Sequence, residues 1–228
     1  MTKLARRATF GVAVIFFAAS LSILTGCSKS TQEPTAPIPQ SSPSSGTTAD
    51  GYYWQVYVTT GTANITQGTA GNFSCTYSNV GDVVVGKGYN PGSAQVLTYN
   101  VSSLTGNYNT VGIYGWTTSP LIEYYIVEFG ANIAGTQINT VSSDGHTYTF
   151  YEHQQVSQPS IQGTATFWQY LDNWGGASIG SNQTVTMANH VNNWTKNGGQ
   201  GFGTYNYQIL SLEAYGGLSG SVNATISN

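Results

Sequence analysis

Two carboxylates stand inside alternating aromatic and aliphatic runs. Glu123 falls in Ile122-Glu123-Tyr124-Tyr125-Ile126-Val127-Glu128, and Glu213 in Tyr207-Gln208-Ile209-Leu210-Ser211-Leu212-Glu213-Ala214-Tyr215. Strand side chains alternate between faces, so Glu123, Tyr125 and Val127 share one face while Tyr124, Ile126 and Glu128 share the other. In the second run Tyr207, Ile209, Ser211, Glu213 and Tyr215 lie together, opposite the core-like Leu210 and Leu212. A carboxylate among tyrosines on a strand adds little to solubility and makes a good acid. Two of them can divide the work of nucleophile, acid and base at one polar bond. On pattern alone, two solvated surface carboxylates are the competing explanation.

Composition narrows what such a pair could act on. Charged residues make up 7% of the 228, against roughly 25% in an ordinary soluble domain. Sixteen Tyr and 28 Gly imply a surface of Tyr, Thr, Ser, Asn and Gly, suited to neutral polar ligands. After Asp50 the only cations are Lys87 and Lys196, with no arginine, against Asp82, Glu123, Glu128, Asp144, Glu152, Asp172 and Glu213, a net charge of −5. A phosphate-tracking groove needs clustered Lys and Arg, so nucleic acid and Arg-clamped nucleotides are argued against. Gly198-Gly199-Gln200-Gly201-Phe202-Gly203 lacks the lysine and the strand-helix context of a phosphate loop. His146, His153 and His190 read as structural, and neither a metal nor a cofactor is expected. Cys75 reads as a small buried thiol.

The elements that must carry these residues are strands. Tyr52 to Val58, Asp82 to Val85, Glu123 to Phe129, Thr147 to Tyr151 and Tyr205 to Tyr215 are rich in β-branched and aromatic residues and bounded by Gly, Asn and Ser. Turn signals recur about every ten residues, the spacing of an all-β sandwich or jelly roll. One helix is expected over Met187–Lys196, with Val191 and Trp194 on one side and Gly198-Gly199 as its stop.

Ahead of this domain lie two further segments. Residues 1–26 read as an export signal, with Lys3, Arg6 and Arg7 before an apolar run from Phe10 to Leu24. It ends in Leu24-Thr25-Gly26-Cys27, which resembles the bacterial lipobox and implies lipidation of Cys27; an ordinary signal with an incidental Cys is the alternative. Residues 27–50, with Pro34, Pro37, Pro39 and Pro43 among Ser, Thr and Gln, read as a tether reaching roughly 25 Å. The domain itself is expected over 51–228, exported and lipid-anchored to a bacterial membrane, at the outer membrane or cell surface.

The run Tyr114-Gly115-Trp116-Thr117-Thr118-Ser119-Pro120-Leu121-Ile122-Glu123-Tyr124-Tyr125-Ile126-Val127-Glu128 is similar to the signature of glycoside hydrolase family 11, the jelly-roll endo-1,4-β-xylanases. Further matches follow in the family's order: Tyr53-Trp54-Gln55, Ser78 to Asp82, Gly86 to Ser93, Ser143-Asp144-Gly145, Pro159-Ser160-Ile161, Gly163 to Phe167, Gln169-Tyr170, Asn189-His190-Val191 and Tyr207-Gln208-Ile209. The resemblance implies an all-β jelly roll of two packed, strongly twisted antiparallel sheets forming a cleft, with one short helix. It implies retaining hydrolysis of 1,4-β-xylosidic bonds in xylan by a monomer, with Glu123 as nucleophile, Glu213 as acid/base and the two carboxyls about 5–5.5 Å apart.

Asp82 matches the position beside the acid/base where Asp accompanies acidic pH optima. Tyr114 and Tyr125 match tyrosines around the nucleophile and the nearest sugar, and Gln169 a cleft glutamine. Tyr57 takes the place of a sugar-stacking Trp, and Pro159, Ser160 and Ile161 match the tip of a thumb hairpin. Thr118 and Gln155 stand where the family usually has Arg, and Leu171-Asp172-Asn173-Trp174 departs from its usual sequence. Loss of an arginine near the nucleophile should raise that carboxyl's pKa. The rival functions are a non-catalytic carbohydrate-binding jelly roll, a related β-1,4-glucanase and a surface adhesin.

Overall fold

The computed structural model of the chain describes residues 38–39 and 44–228. The export signal over 1–26 and Cys27 lie outside the described residues. Among the described residues thirteen strands and one helix follow in order: β1 (Ile38–Pro39), β2 (Ser44–Thr47), β3 (Tyr53–Val58), β4 (Thr62–Gln67), β5 (Asn72–Tyr89), β6 (Val96–Gly106) and β7 (Thr110–Thr118). Then come β8 (Ile122–Gly130), β9 (Thr136–Ser143), β10 (His146–Ser160), β11 (Gly163–Asn173), β12 (Asn182–Thr186), α1 (Met187–Asn197) and β13 (Thr204–Ser227). Local chemistry sets the turns. Asp144 and Gly145 both take positive φ, 53° and 84°, which suits the two-residue hairpin between β9 and β10.

Two long strands make the fold two-layered. The first half of β5 pairs with β4 and its second half with β3. Likewise β13 pairs with β7 over Thr204 to Glu213 and with β6 from Gly220 onward. The register of β13 against β5 slips between Tyr215 and Gly220, where Gly216 and Gly217 take φ of 77° and 84°. Each strand therefore bends from one layer into the other. One layer holds β4, β6 and β12; the other runs from β3 through β7, β8 and β11 to β10 and β9. Pairing is antiparallel except between β8 and β11, where Trp168 lies beside Ile122 in parallel register. The crossover through β9 and β10 supplies the long connection that a parallel pair needs.

The larger layer is apolar on both faces. Inward-facing Val56, Val85, Ile113, Ile126, Leu210 and Leu212 join Phe73, Tyr99 and Val222 in the core between the layers. On the opposite face Val84, Tyr114, Trp116, Tyr125, Phe167, Leu171 and Tyr207 form a second cluster. Gly115 makes the crowding possible: a Cβ there would meet the Tyr124 hydroxyl at 2.3 Å and the Tyr207 carbonyl at 2.4 Å.

Two expectations change. Strand β2 lies inside the stretch read as a tether and pairs with β3 through Ser44↔Val56 and Thr47↔Tyr53, so the sheet begins ahead of residue 51. The helix buries Met187, His190 and Trp194, one face at helical spacing, while Val191 is only partly buried. His190 does have a structural bond: its Nδ1 lies 2.6 Å from Asp172 Oδ2, both side chains fully buried. Cys75 is buried and unpaired.

Candidate active site

Alternation places Tyr53, Gln55 and Tyr57 of β3, Asp82 and Val84 of β5, Trp116 of β7, Glu123 and Tyr125 of β8, Phe167 and Gln169 of β11, and Tyr207 and Glu213 of β13 around one cavity of about 540 Å³. The β10–β11 hairpin covers one side with Gln155, Gln158, Pro159, Ser160 and Ile161, and β2 contributes Ser44 and Ser45. A register shift between Gln155 and Gln158 bends this hairpin. Its tip is pinned by the Ser160 hydroxyl donating to the Gly163 carbonyl at 2.6 Å.

Glu123 is 7% exposed and Glu213 is 8% exposed, yet their surroundings differ. Oε1 of Glu123 accepts from the hydroxyls of Tyr114 at 2.7 Å and Tyr125 at 3.1 Å. Oε2 accepts from Gln169 Nε2 at 2.7 Å, and Gln169 lies directly beside Glu123 in the parallel β8–β11 register. Tyr114 is held in turn by Trp116 Nε1, which donates to its oxygen at 2.7 Å. Burial pushes the Glu123 carboxyl upward, and the three hydrogen bonds pull it back, leaving it above its ordinary value. Glu213 receives a long hydrogen bond from Thr110 at 3.5 Å, and the Tyr125 hydroxyl that donates to Glu123 also bears on it. Burial, then the charges of Glu123 and Asp82, hold its carboxyl well above the usual range. The asymmetry suits a site where Glu123 is ionised while Glu213 keeps its proton.

Asp82 lies opposite Tyr215 and Glu213 opposite Val84 across the β5–β13 pair, so the two carboxyls are diagonal neighbours. Its Oδ1 is buried without a hydrogen-bond partner, and burial pushes the carboxyl up to about 6.

Of the expected site residues, Tyr57, Asp82, Glu123, Tyr125, Pro159, Ser160, Ile161, Gln169 and Glu213 line the cavity. Tyr114 does not. It lies behind Glu123, 4% exposed, and touches the carboxylate rather than the open space. Thr118 ends β7 opposite Thr204, away from the cavity. Tyr53, Gln55, Trp116 and Tyr207 line the site without having been singled out. Tyr53 stacks on Tyr207 with centroids 5.3 Å apart, and Gln55 Nε2 donates to the Tyr207 hydroxyl at 2.9 Å. The signal was present, because Tyr53 and Gln55 share a strand face with Tyr57, and Tyr207 shares one with Glu213.

Known proteins match this arrangement. The profile of the glycosyl hydrolases family 11 matches residues 49–225. Endo-1,4-beta-xylanase B of Talaromyces funiculosus is 44% identical over 170 residues, which cover 72% of this chain and 59% of that protein. Endo-1,4-beta-xylanase 2 of Rhizopus oryzae is 41% identical over 186 residues, covering 79% and 84%. A solved chain from a comparison of two major endo-1,4-beta-xylanases of Trichoderma reesei superposes with a TM-score of 0.70 at 39% identity, covering 77% of this chain and 98% of that one. The match spans less than two thirds of several fungal relatives, 59% of one and 65% of another, from Phanerodontia chrysosporium. The profile covers most of the described strands and every carboxylate and tyrosine of the cleft: the chain belongs to glycosyl hydrolase family 11.

Proposed function

We propose that this protein is a retaining endo-1,4-β-xylanase, exported and held at a bacterial membrane through lipidated Cys27. The observation that carries the catalytic reading is the unequal treatment of two buried carboxyls on one cleft. Glu123, solvated by three donors, attacks the anomeric carbon as its bond to the leaving oxygen breaks, while Glu213 gives its proton to that oxygen. Glu213, now a carboxylate, takes a proton from water, whose oxygen displaces Glu123 and restores the starting state. Two inversions at one carbon retain configuration. Tyr53, Tyr57 and Tyr207 offer ring faces and hydroxyls to a neutral sugar chain, and neither lysine of the domain lines the cavity. Asp82 sets the basic limb of the pH profile, so the optimum is shifted to acidic pH. A pure sugar-binding module gains nothing from a buried pair of carboxyls, which must be desolvated at a cost.

The test is to incubate the protein with xylan and with cellulose and follow reducing ends and the anomer first released. Xylan hydrolysis giving the β-anomer, abolished in Glu123→Gln, is expected. Release from cellulose alone favours the glucanase, and the α-anomer removes the retaining mechanism. For the anchor, labelled palmitate should enter the wild-type protein in a bacterial host and not Cys27→Ser; equal labelling of both refutes it.

A further inference from the structure

Gln169 reaches Glu123 with an amide, a group whose two ends are alike in size and opposite in hydrogen bonding. Only one orientation serves a carboxylate. With Nε2 forward, Gln169 donates to Glu123 Oε2; turned over, it sets Oε1 against an acceptor and removes the donor from that oxygen. Something must meet the far end of the amide, because Gln169 is 7% exposed and a buried carbonyl without a donor is costly.

That partner is Gln155. Its Nε2 donates to Gln169 Oε1 at 3.2 Å, so a directed chain runs from Gln155 to Gln169 to Glu123. The register explains the contact: Gln155 pairs with Phe167 and His153 with Gln169, which makes Gln155 and Gln169 diagonal neighbours on the cleft face. Gln155 is also the last regular residue before the bend in the covering hairpin, so the chain ties the base of that hairpin to the carboxylate.

The geometry points to Gln155 as a positioning residue that fixes the orientation of the Gln169 amide and thereby keeps a donor on Glu123 Oε2. The inference rests on Glu123 being the nucleophile. Gln155 acts through Gln169 and has no hydrogen bond to Glu123 itself. The other titratable groups facing Glu123 are Tyr114 on β7, Tyr125 on its own strand, Asp82 on β5, Tyr57 on β3, and Tyr207 and Glu213 on β13. None of them contacts the Gln169 amide at its far end, so they are constant across the comparison.

The experiment reads the ionisation of Glu123 directly, by carbon-detected NMR of side-chain-labelled glutamate in the full chain, with the resonance assigned by its loss in Glu123→Gln. In parallel it reads the acid limb of kcat/KM on xylan. Gln155→Leu should move both upward by about half to one pH unit, because a charge-assisted hydrogen bond is lost from part of the population. Gln155→Glu should move them further, since an ionised acceptor at that position draws Nε2 away. Gln155→Arg, a donor only, should restore the orientation and bring both to or below the wild-type value. In the Gln169→Leu background, Gln155→Leu should add nothing, as a residue acting only through Gln169 must. Unchanged Glu123 titration in Gln155→Leu and Gln155→Glu, or an additive shift in the double variant, overturns the inference. Wild-type protein inert on xylan would sink the xylanase reading instead, while the titration still decides whether Gln155 orients Gln169.

Discussion

Replacing Asp82 with Asn should carry activity toward neutral pH. The carboxyl sits near 6 because burial penalises its charge. While protonated, it leaves one negative charge, on Glu123, beside the proton of Glu213. Once ionised, it adds an acceptor and a second charge that hold the Glu213 proton in place, making Glu213 a weaker donor in its proposed role as the acid. The basic limb of kcat/KM should then follow Asp82, and at pH 7 a group of pKa about 6 is protonated in roughly one molecule in eleven. Asp82→Asn should therefore raise activity at pH 7, relative to the acidic plateau, by about tenfold, with the new basic limb set by Glu213. Stability gives a second reading. Below the ordinary Asp pKa of 3.8 both folded and unfolded chains are protonated, and no penalty exists. As pH rises toward about 6, the unfolded chain ionises first and stability falls. Two pKa units correspond to about 3 kcal/mol at most, and partial exposure reduces this to about 1–2 kcal/mol. At pH 7 the Asn variant should be the more stable protein by that amount in urea titrations, and equal or less stable at pH 3.5. A basic limb that stays at its wild-type position refutes the role given to Asp82.

Tyr114→Phe removes a donor from Glu123 and the acceptor of the Trp116 indole; kcat should fall about ten- to a hundredfold with KM little changed, because Tyr114 does not line the cavity. Steady-state kinetics on xylan separate the two, and a rise in KM alone would contradict the geometry. Glu128 is buried between the hydroxyls of Tyr99 at 2.6 Å and Tyr148 at 2.9 Å, and burial pushes it up to about 7. Its folded pKa exceeds the ordinary 4.5, so wild-type Tm should fall as pH rises from 4.5 to about 7 and level off above that, and Glu128→Gln should flatten the fall in calorimetry. His190→Ala leaves the Asp172 carboxylate fully buried with its one side-chain partner among the described residues gone, and chemical denaturation should show a loss of about 3–5 kcal/mol. Gly115→Ala forces the Tyr124 hydroxyl and the Tyr207 carbonyl apart and should cost about 1–3 kcal/mol.

Faces were legible where alternation was strict. Period two along β8 and β13 put Glu123 and Glu213 on the cleft face and Glu128, Leu210 and Leu212 on the core face, as the structure has them. What stayed hidden depends on partners distant in sequence. Glu128 is tolerable in the core only because tyrosines 29 and 20 residues away converge on it. Strand β2 reads as linker because Ser44-Ser45-Gly46-Thr47 has no apolar face. It is held by backbone pairing to β3, and a Cβ at Gly46 would press on the Trp54 indole nitrogen at 3.1 Å. The bends that divide β5 and β13 between layers were concealed for the opposite reason: Gly216-Gly217 reads locally as the end of a strand.

The missing arginines acquire a structural meaning from this. A guanidinium near Glu123 would stabilise its charge over several ångströms and across a range of side-chain orientations, since Coulomb attraction falls slowly with distance. The cleft instead uses two phenols and one amide, neutral groups whose effect vanishes when they turn away. A site solvated in this manner depends on orientation, and two of the three donors have an anchor of their own: Trp116 on Tyr114, and Gln155 on Gln169. The same neutrality predicts weak salt dependence. Raising ionic strength screens charge pairs and leaves short neutral hydrogen bonds untouched. The acid limb of the pH-rate profile should therefore shift little between low and high salt, whereas in Gln155→Arg it should move upward as salt screens the introduced charge. An acid limb in the wild-type protein that climbs strongly with salt would mean that charge, and not oriented dipoles, sets the pKa of Glu123.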